Sequence, residues 1–268
     1  GGQAELLRRA GVREPMVRTL TEIAIVEGFG ATIRDLPVPP ISSVIREDVT
    51  GTALAHLTGG LFEAHARDEA GWGEEGGHKQ MWEAARDLAL SKPKVPGDIL
   101  MAIMGRRGSN GRGRRALPQL REDAERVLGF MTNVHIIEVF AASTFRWAEE
   151  VLSDPDVSDA PKEASDMIRY IRSDESPHVE YLRTALSEIS ARTPIGEDGK
   201  EYSGHEAVQD LLDRSLRFII RQRREERREQ MHASIRASAK GIVKDVENLI
   251  QRFDQLETPW QPPVRYLE

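Results

Sequence analysis

The sequence contains no cysteine, and this absence removes several kinds of site at once. Without thiols the protein has no structural disulfides, no thiolate metal ligands, no iron–sulfur cluster bound by cysteine and no cysteine nucleophile. Any metal ion must therefore be held by histidine and carboxylate side chains.

Long apolar runs are missing too. No stretch reaches about 18 consecutive apolar residues, and no basic segment followed by an apolar one opens the chain, so we expect a soluble, cytoplasmic protein with no membrane partner. The formal net charge of −7 argues against a general nucleic-acid partner. The 268 residues are enough to bury a full hydrophobic core.

The third absence is the alternation of apolar and polar residues that is typical of strands. Apolar residues instead recur at helical spacing, interrupted by segments rich in proline and glycine. We predict an all-α fold in a single domain, residues 1–268, with a metal-binding bundle over about 42–191 and flanking helices at 14–36 and 204–256. The bundle helices are expected at about 42–70, 74–91, 118–152 and 161–191.

The most informative pattern is a Glu-x-x-His motif formed by Glu175 and His178. On a helix these two side chains lie one turn apart, on the face that also carries Ile168, Ile171 and Leu182. A buried carboxylate and imidazole need a compensating partner, and a metal cation that both bind is one that fits. The alternative is an ordinary surface pair of residues i and i+3.

A second Glu-x-x-His motif occurs at Glu75 and His78. In an antiparallel hairpin, residues equally far from the turn lie at the same height. This symmetry pairs Glu63 with Glu75 and Glu138 with Glu175. Glu47 or Glu69 could take the place of Glu63 as a ligand, and Glu75 could instead be an acid that favours a helix start. The predicted ligands are Glu63, Glu75, His78, Glu138, Glu175 and His178.

These six residues resemble the ligand set of ferritin-like dinuclear carboxylate proteins, in which two helices each carry a Glu and two others each carry a Glu-x-x-His. The resemblance implies a ferritin-like four-helix bundle, with additional N- and C-terminal helices, that binds two iron ions; manganese or a mixed Mn/Fe pair also suits such ligands. It implies that Glu175 bridges the two ions together with Glu138 or Glu75. His135, one turn before Glu138, is a candidate extra ligand, as in the arylamine N-oxygenases, or else a core histidine.

The resemblance further implies a non-haem di-iron oxidase or oxygenase that uses O₂ as co-substrate to oxidise a small organic molecule. The metal centre itself would be the catalyst, and an electron donor and a second copy of the chain are partners that such an enzyme can have. One alternative is a non-enzymatic, ferritin-like iron-binding or storage protein. Another is an oxygenase acting on RNA or on a carrier-bound substrate, because five arginines lie between Arg106 and Arg115. That arginine loop could equally be a solvated connection.

Overall fold

The computed structural model of the chain describes residues 1–109, 115–218 and 223–257, with backbone only for 105–109 and 223–224. These residues form helices and isolated β-bridges but no strand, so the all-α prediction is confirmed for them. The α-helices are α1 (Gly2–Arg9), α2 (Glu14–Glu27), α3 (Phe62–Ala70), α4 (His78–Ala89), α5 (Ile99–Ser109), α6 (Glu122–Leu152), α7 (Pro161–Ser190), α8 (Gly204–Arg217), α9 (Arg223–Ala239) and α10 (Val246–Gln255).

The two longest helices, α6 and α7, lie close to their predicted bounds. Acidic residues in the first turn of α6 and Pro161 at the start of α7 are features that favour helix N-termini. The prediction of one helix over 42–70 is wrong in its first part. There the chain forms 3-10 turns at Ile41–Ser43 and Ala53–His56 and a π turn at Leu57–Leu61 before α3 begins.

The predicted C-terminal helix at 204–256 is also more divided than expected. It comprises α8, α9 and α10, and α9 ends shortly before Gly241, whose φ of +81° does not continue a right-handed helix. The predicted N-terminal helix at 14–36 consists of α2 followed by a 3-10 turn at Gly30–Asp35. The two short helices α1 and α5 were not predicted.

The core is organised along the antiparallel pair α6 and α7. Helix α4 packs against α2 and α7, α8 packs against α6 and α7, and α10 packs against α1 and α9. One apolar cluster includes Phe145 of α6 and Ile171 of α7, and a second includes Met131 of α6 and Leu182 of α7. The two long helices thus pass from one apolar cluster to the other, and the polar residues between those two levels become buried.

Helix α6 is, by length and composition, the one helix among the described residues that could cross a membrane. A core helix of a soluble protein passes the same test, and 39% of the apolar window in α6 is buried inside the protein. Helix α6 also carries the buried Glu138 and packs along α7. A soluble protein is therefore compatible with the fold, and the cytoplasmic location stays a prediction.

Candidate metal centre

Three of the predicted ligands lie on α6 and α7, between the two apolar clusters. Glu138 is 6% exposed, and Glu175 and His178 are each 2% exposed. The helical period explains this burial, because each residue shares a helix face with apolar core residues on both sides. The expectation that the motif formed by Glu175 and His178 points into the core is thus met in the structure.

Two more cluster residues come from a tight turn between α3 and α4. Glu69 lies in the last turn of α3 and His78 begins α4, and both are buried. The connection requires glycine: a Cβ on Gly71 would lie 2.1 Å from the carbonyl oxygen of Glu75, and a Cβ on Gly77 would lie 2.2 Å from that of Glu69. The glycines that are unfavourable inside a helix therefore belong to a turn that brings Glu69 to His78.

Glu27 and His65 also join the cluster, and the sequence analysis missed both. Glu27 is the last residue of α2 and follows the buried Leu20 and Ala24 at helical spacing. His65 precedes Glu69 by one turn of α3 and is 1% exposed. The same 3.6-residue period that singled out Glu175 was present around both residues and could have identified them.

Seven side chains form two overlapping groups in which the candidate ligand atoms lie within 4.8 Å of one another. In the first group, His65 Nε2 lies 3.5 Å from Glu138 Oε1 and 3.7 Å from Glu69 Oε1. His178 Nδ1 lies 3.9 Å from the same Glu69 oxygen, and the rings of His65 and His178 are stacked with centroids 3.9 Å apart. The first group consists of His65, Glu69, Glu138 and His178.

The second group surrounds Nδ1 of His78. This atom lies 3.1 Å from Glu175 Oε1, 3.4 Å from Glu69 Oε2 and 3.8 Å from Glu27 Oε2. Glu69 therefore belongs to both groups and presents one carboxylate oxygen to each. The second group consists of Glu27, Glu69, His78 and Glu175.

Many polar atoms of this cluster have no hydrogen-bond partner although they are buried. Native proteins leave few such atoms, since each costs about 1–3 kcal/mol. Their concentration in one place indicates a common partner, and a cation that accepts lone pairs from nitrogen and oxygen would satisfy them together. The atoms are His65 Nε2, Glu69 Oε2, His78 Nδ1 and Nε2, both carboxylate oxygens of Glu175, and His178 Nδ1.

The buried carboxylates also have displaced pKa values. Burial raises the pKa of Glu27 and of Glu138 well above the usual range, and the neighbouring carboxylates Glu69 and Glu175 add to both shifts. For Glu175, burial acts in the same direction, but the close approach of His178, His78 and Glu138 together outweighs it and holds the pKa of this carboxyl below its usual range.

The three histidines of the cluster differ in protonation. Burial lowers the pKa of His65 to about 3, so its ring is neutral at pH 7. Burial would also lower the pKa of His78 and of His178, but the carboxylates around them outweigh it and raise these pKa values to about 11 and about 9. Without a cation, protons on these two rings therefore offset part of the carboxylate charge.

Two side chains outside the groups orient the histidines. Nε2 of His178 donates to Asp68 Oδ2 at 3.2 Å, which leaves its Nδ1 facing the cluster. His65 Nδ1 lies 3.0 Å from the hydroxyl of Tyr181. For His65 to present the lone pair of Nε2 to a cation, its proton must be on Nδ1, where the Tyr181 oxygen accepts it. Such outer partners fix the orientation of metal-binding imidazoles.

Replacing Tyr181 by phenylalanine should weaken binding of a divalent ion at the first group about 10- to 100-fold. The substitution keeps the ring but removes the acceptor for His65 Nδ1, so the histidine loses its fixed orientation. Titration with Mn²⁺ would measure the two binding steps separately, and the step at the second group should be unchanged. Tyr170→Phe is the matched control, because Tyr170 is 67% exposed. Equal binding by Tyr181→Phe and the parent would contradict this role.

The remaining predicted ligands lie outside the cluster. The side chain of Glu63 is 41% exposed and accepts from Arg67 Nε at 2.6 Å. Glu75 is exposed in the turn before α4, so the prediction that it shares a helical turn with His78 is wrong. Glu47 accepts hydrogen bonds from the backbone and hydroxyl of Thr193.

His135 is half-buried on α6 and belongs to neither group. Burial lowers its pKa, with Arg183 acting in the same direction. The candidate extra ligand is thus replaced in the cluster by His65, a histidine on a different helix.

Most of the arginine loop lies outside the described residues. Residues 110–114 and the side chains of Arg106 and Arg107 are not described. Arg115 is described, and its guanidinium binds Glu125 and the carbonyl oxygen of Leu120. This arginine is therefore engaged within the protein.

Similarity to known proteins contributes nothing to the assignment of this cluster. The assignment of the cluster consequently rests on its burial, its distances and its unsatisfied atoms. Comparison with protein-family models, with curated proteins and with solved structures finds no match to the chain.

Proposed function

We propose that the protein is a non-haem di-iron oxidase or oxygenase that uses O₂ to oxidise a small organic molecule. We further propose that α3, α4, α6 and α7 form a ferritin-like four-helix bundle around the ions, and that α2, which packs against α4, adds Glu27 from a fifth helix. The observation that carries the proposal is the pair of overlapping ligand groups, buried between two apolar clusters and sharing Glu69.

The donor set fits two hard divalent cations. Three imidazoles and four carboxylates without sulfur suit iron or manganese, and four carboxylate charges balance two divalent ions. His65, Glu138 and His178 would hold one ion, and Glu27, His78 and Glu175 the other. Glu69 would bridge them, whereas the family resemblance had implied a bridge by Glu175 with Glu138 or Glu75. Two ferrous ions bound in this way supply electrons for the reduction of O₂.

The side chains of the protein would provide orientation, protons and the exclusion of water. Trp82 and Phe145 are fully buried and in contact on one side of the cluster, and Met131 is fully buried on the other. Burial raises the pKa of Tyr181, so its phenol keeps its proton beside His65 at pH 7. Buried apolar surroundings and fixed donors of this kind are what a protein contributes to metal-based oxidation.

Anaerobic titration with ferrous iron tests the proposal. About two ions per chain should bind, and addition of O₂ should then consume oxygen with a change in the optical spectrum. Binding of a single zinc and no iron would refute a dinuclear centre. If each chain oxidises many iron ions and stores them in a hollow assembly, the protein is a storage protein and the oxygenase proposal fails. A screen of small organic substrates, scored by oxygen uptake, then separates an oxygenase from an iron binder.

A further inference from the structure

Helix α5 exposes an apolar face, and none of its residues belongs to the two ligand groups. It packs against α2, and its Ile99 and Ile103 are 1% and 7% exposed. Leu100, Met101 and Met104 are instead 52%, 73% and 49% exposed. We call these three side chains the α5 face. Three large apolar side chains on one short helix, exposed among the described residues, are typical of a surface that binds a partner.

The sequence around the α5 face is strongly cationic although the whole chain is acidic. Residues 92–115 contain seven lysines and arginines and a single acidic residue, in a protein whose net charge is −7. That acidic residue, Asp98, is already paired with Arg18 at 3.0 Å. Arg115 is engaged with Glu125. Six other cationic residues belong to this segment, and among them Lys92 and Lys94 are exposed. Four of them follow the α5 face in the sequence, between Arg106 and Arg114.

We propose that the α5 face binds the surface of an anionic lipid bilayer. Exposed aliphatic and thioether side chains can enter the boundary between headgroups and acyl chains, while neighbouring lysines and arginines attract anionic headgroups. Docking of this kind needs no membrane-spanning segment. We expected no membrane partner because long apolar runs are missing, but binding at the bilayer surface does not require such a run.

Charge and composition favour a bilayer over two other occupants. A second copy of the chain bound through the same face would bring two cationic segments together, which costs electrostatic energy. An RNA would be attracted by the arginines, but RNA-binding surfaces stack bases on aromatic rings, and residues 92–115 contain no aromatic residue. Leu100, Met101 and Met104 offer neither stacking nor hydrogen bonds, whereas all three suit an acyl environment.

Vesicle sedimentation with the full chain tests the proposal. The protein should sediment with vesicles of phosphatidylcholine and phosphatidylserine but not with phosphatidylcholine alone, and the bound fraction should fall as salt is raised. The double variant Leu100→Asp, Met101→Asp should lower the apparent affinity at least about tenfold, because it puts two acidic side chains on the binding face. Ile242→Asp is the control, since Ile242 is 59% exposed on another part of the protein, and it should bind like the parent.

Several outcomes would overturn the proposal. These are no vesicle binding, equal binding to both lipid compositions, or full binding by the double variant. Tight, salt-sensitive RNA binding without vesicle binding would assign the face to RNA, and a parent dimer that the double variant loses would assign it to a second copy. Circular dichroism and metal stoichiometry verify that each variant is folded. If the double variant unfolds, Met101→Ser, at the most exposed of the three positions, replaces it.

Discussion

Replacing Glu69 by alanine should reduce bound ferrous iron from about two ions per chain to well below one. Glu69 is 3% exposed and presents one oxygen to His65 and the other to His78, so its removal takes a ligand from both groups. Each position would then keep three protein ligands, and the bridge between the ions would be lost. Metal analysis after anaerobic loading and desalting measures the effect.

Two glutamates serve as matched controls for this substitution. Glu63→Ala and Glu75→Ala should both keep about two ions per chain, because neither residue belongs to a ligand group, the Glu63 side chain is 41% exposed and Glu75 is exposed. The sequence alone favours the opposite result, since both residues belong to the predicted ligand set. Loss of an ion in Glu75→Ala together with full loading of Glu69→Ala would show that Glu75, and not Glu69, binds the ions.

The free energy of unfolding of the metal-free protein should decrease as the pH is raised from 6.5 to 9. His78 and His178 have folded pKa values of about 11 and about 9, against 6.5 for an ordinary histidine. A histidine whose pKa is raised by folding stabilises the protein fully below pH 6.5 and loses that contribution as the pH rises through the folded pKa. Each such proton contributes a slope of about 1.4 kcal/mol per pH unit.

The other displaced groups do not reverse this trend. The raised pKa values of Glu27 and Glu138 act in the same direction above pH 4.5, and the lowered pKa of His65 affects stability only below pH 6.5. With Mn²⁺ held at a fixed free concentration, stability should instead increase with pH, because the ions bind deprotonated ligands.

Urea unfolding at several pH values measures how the free energy of unfolding depends on pH, once with chelator and once with Mn²⁺. His78→Gln should lose about half of the metal-free slope, since it removes one of the two protons. His56→Gln, which removes an exposed histidine outside the cluster, should keep the whole slope. If the free energy of unfolding of the metal-free parent does not change with pH, the rings of His78 and His178 are not protonated in the folded state.

Helical periodicity was sufficient to predict the part of the cluster that lies on α6 and α7. Both helices are long and unbroken, so the spacing of Glu138 among apolar residues, and of Glu175 and His178 among isoleucines and leucines, translated directly into burial. The all-α class followed from the same signal over the rest of the chain. Pro177 did not interrupt α7.

The other half of the cluster was harder to predict because it depends on a turn. The hairpin symmetry assumed that the helix with His78 already includes Glu75, which would put these two residues on one face. Gly71 and Gly77 instead allow a close approach of backbone that ends α3 after Glu69 and starts α4 at His78. Glycines in a single sequence indicate a turn, but they do not show which backbone atoms come into contact there.

The candidate ligands come from five helices, of which α2 is the first and α7 the last, and this spread along the chain affects the folding kinetics. The complete site requires the closure of several long loops, and contacts between residues far apart in the chain form late in folding. Ions that bind only the completed site stabilise the native state but not the transition state before it. Metal would then slow the unfolding of this protein without speeding its folding, so its benefit is a longer lifetime of the folded chain.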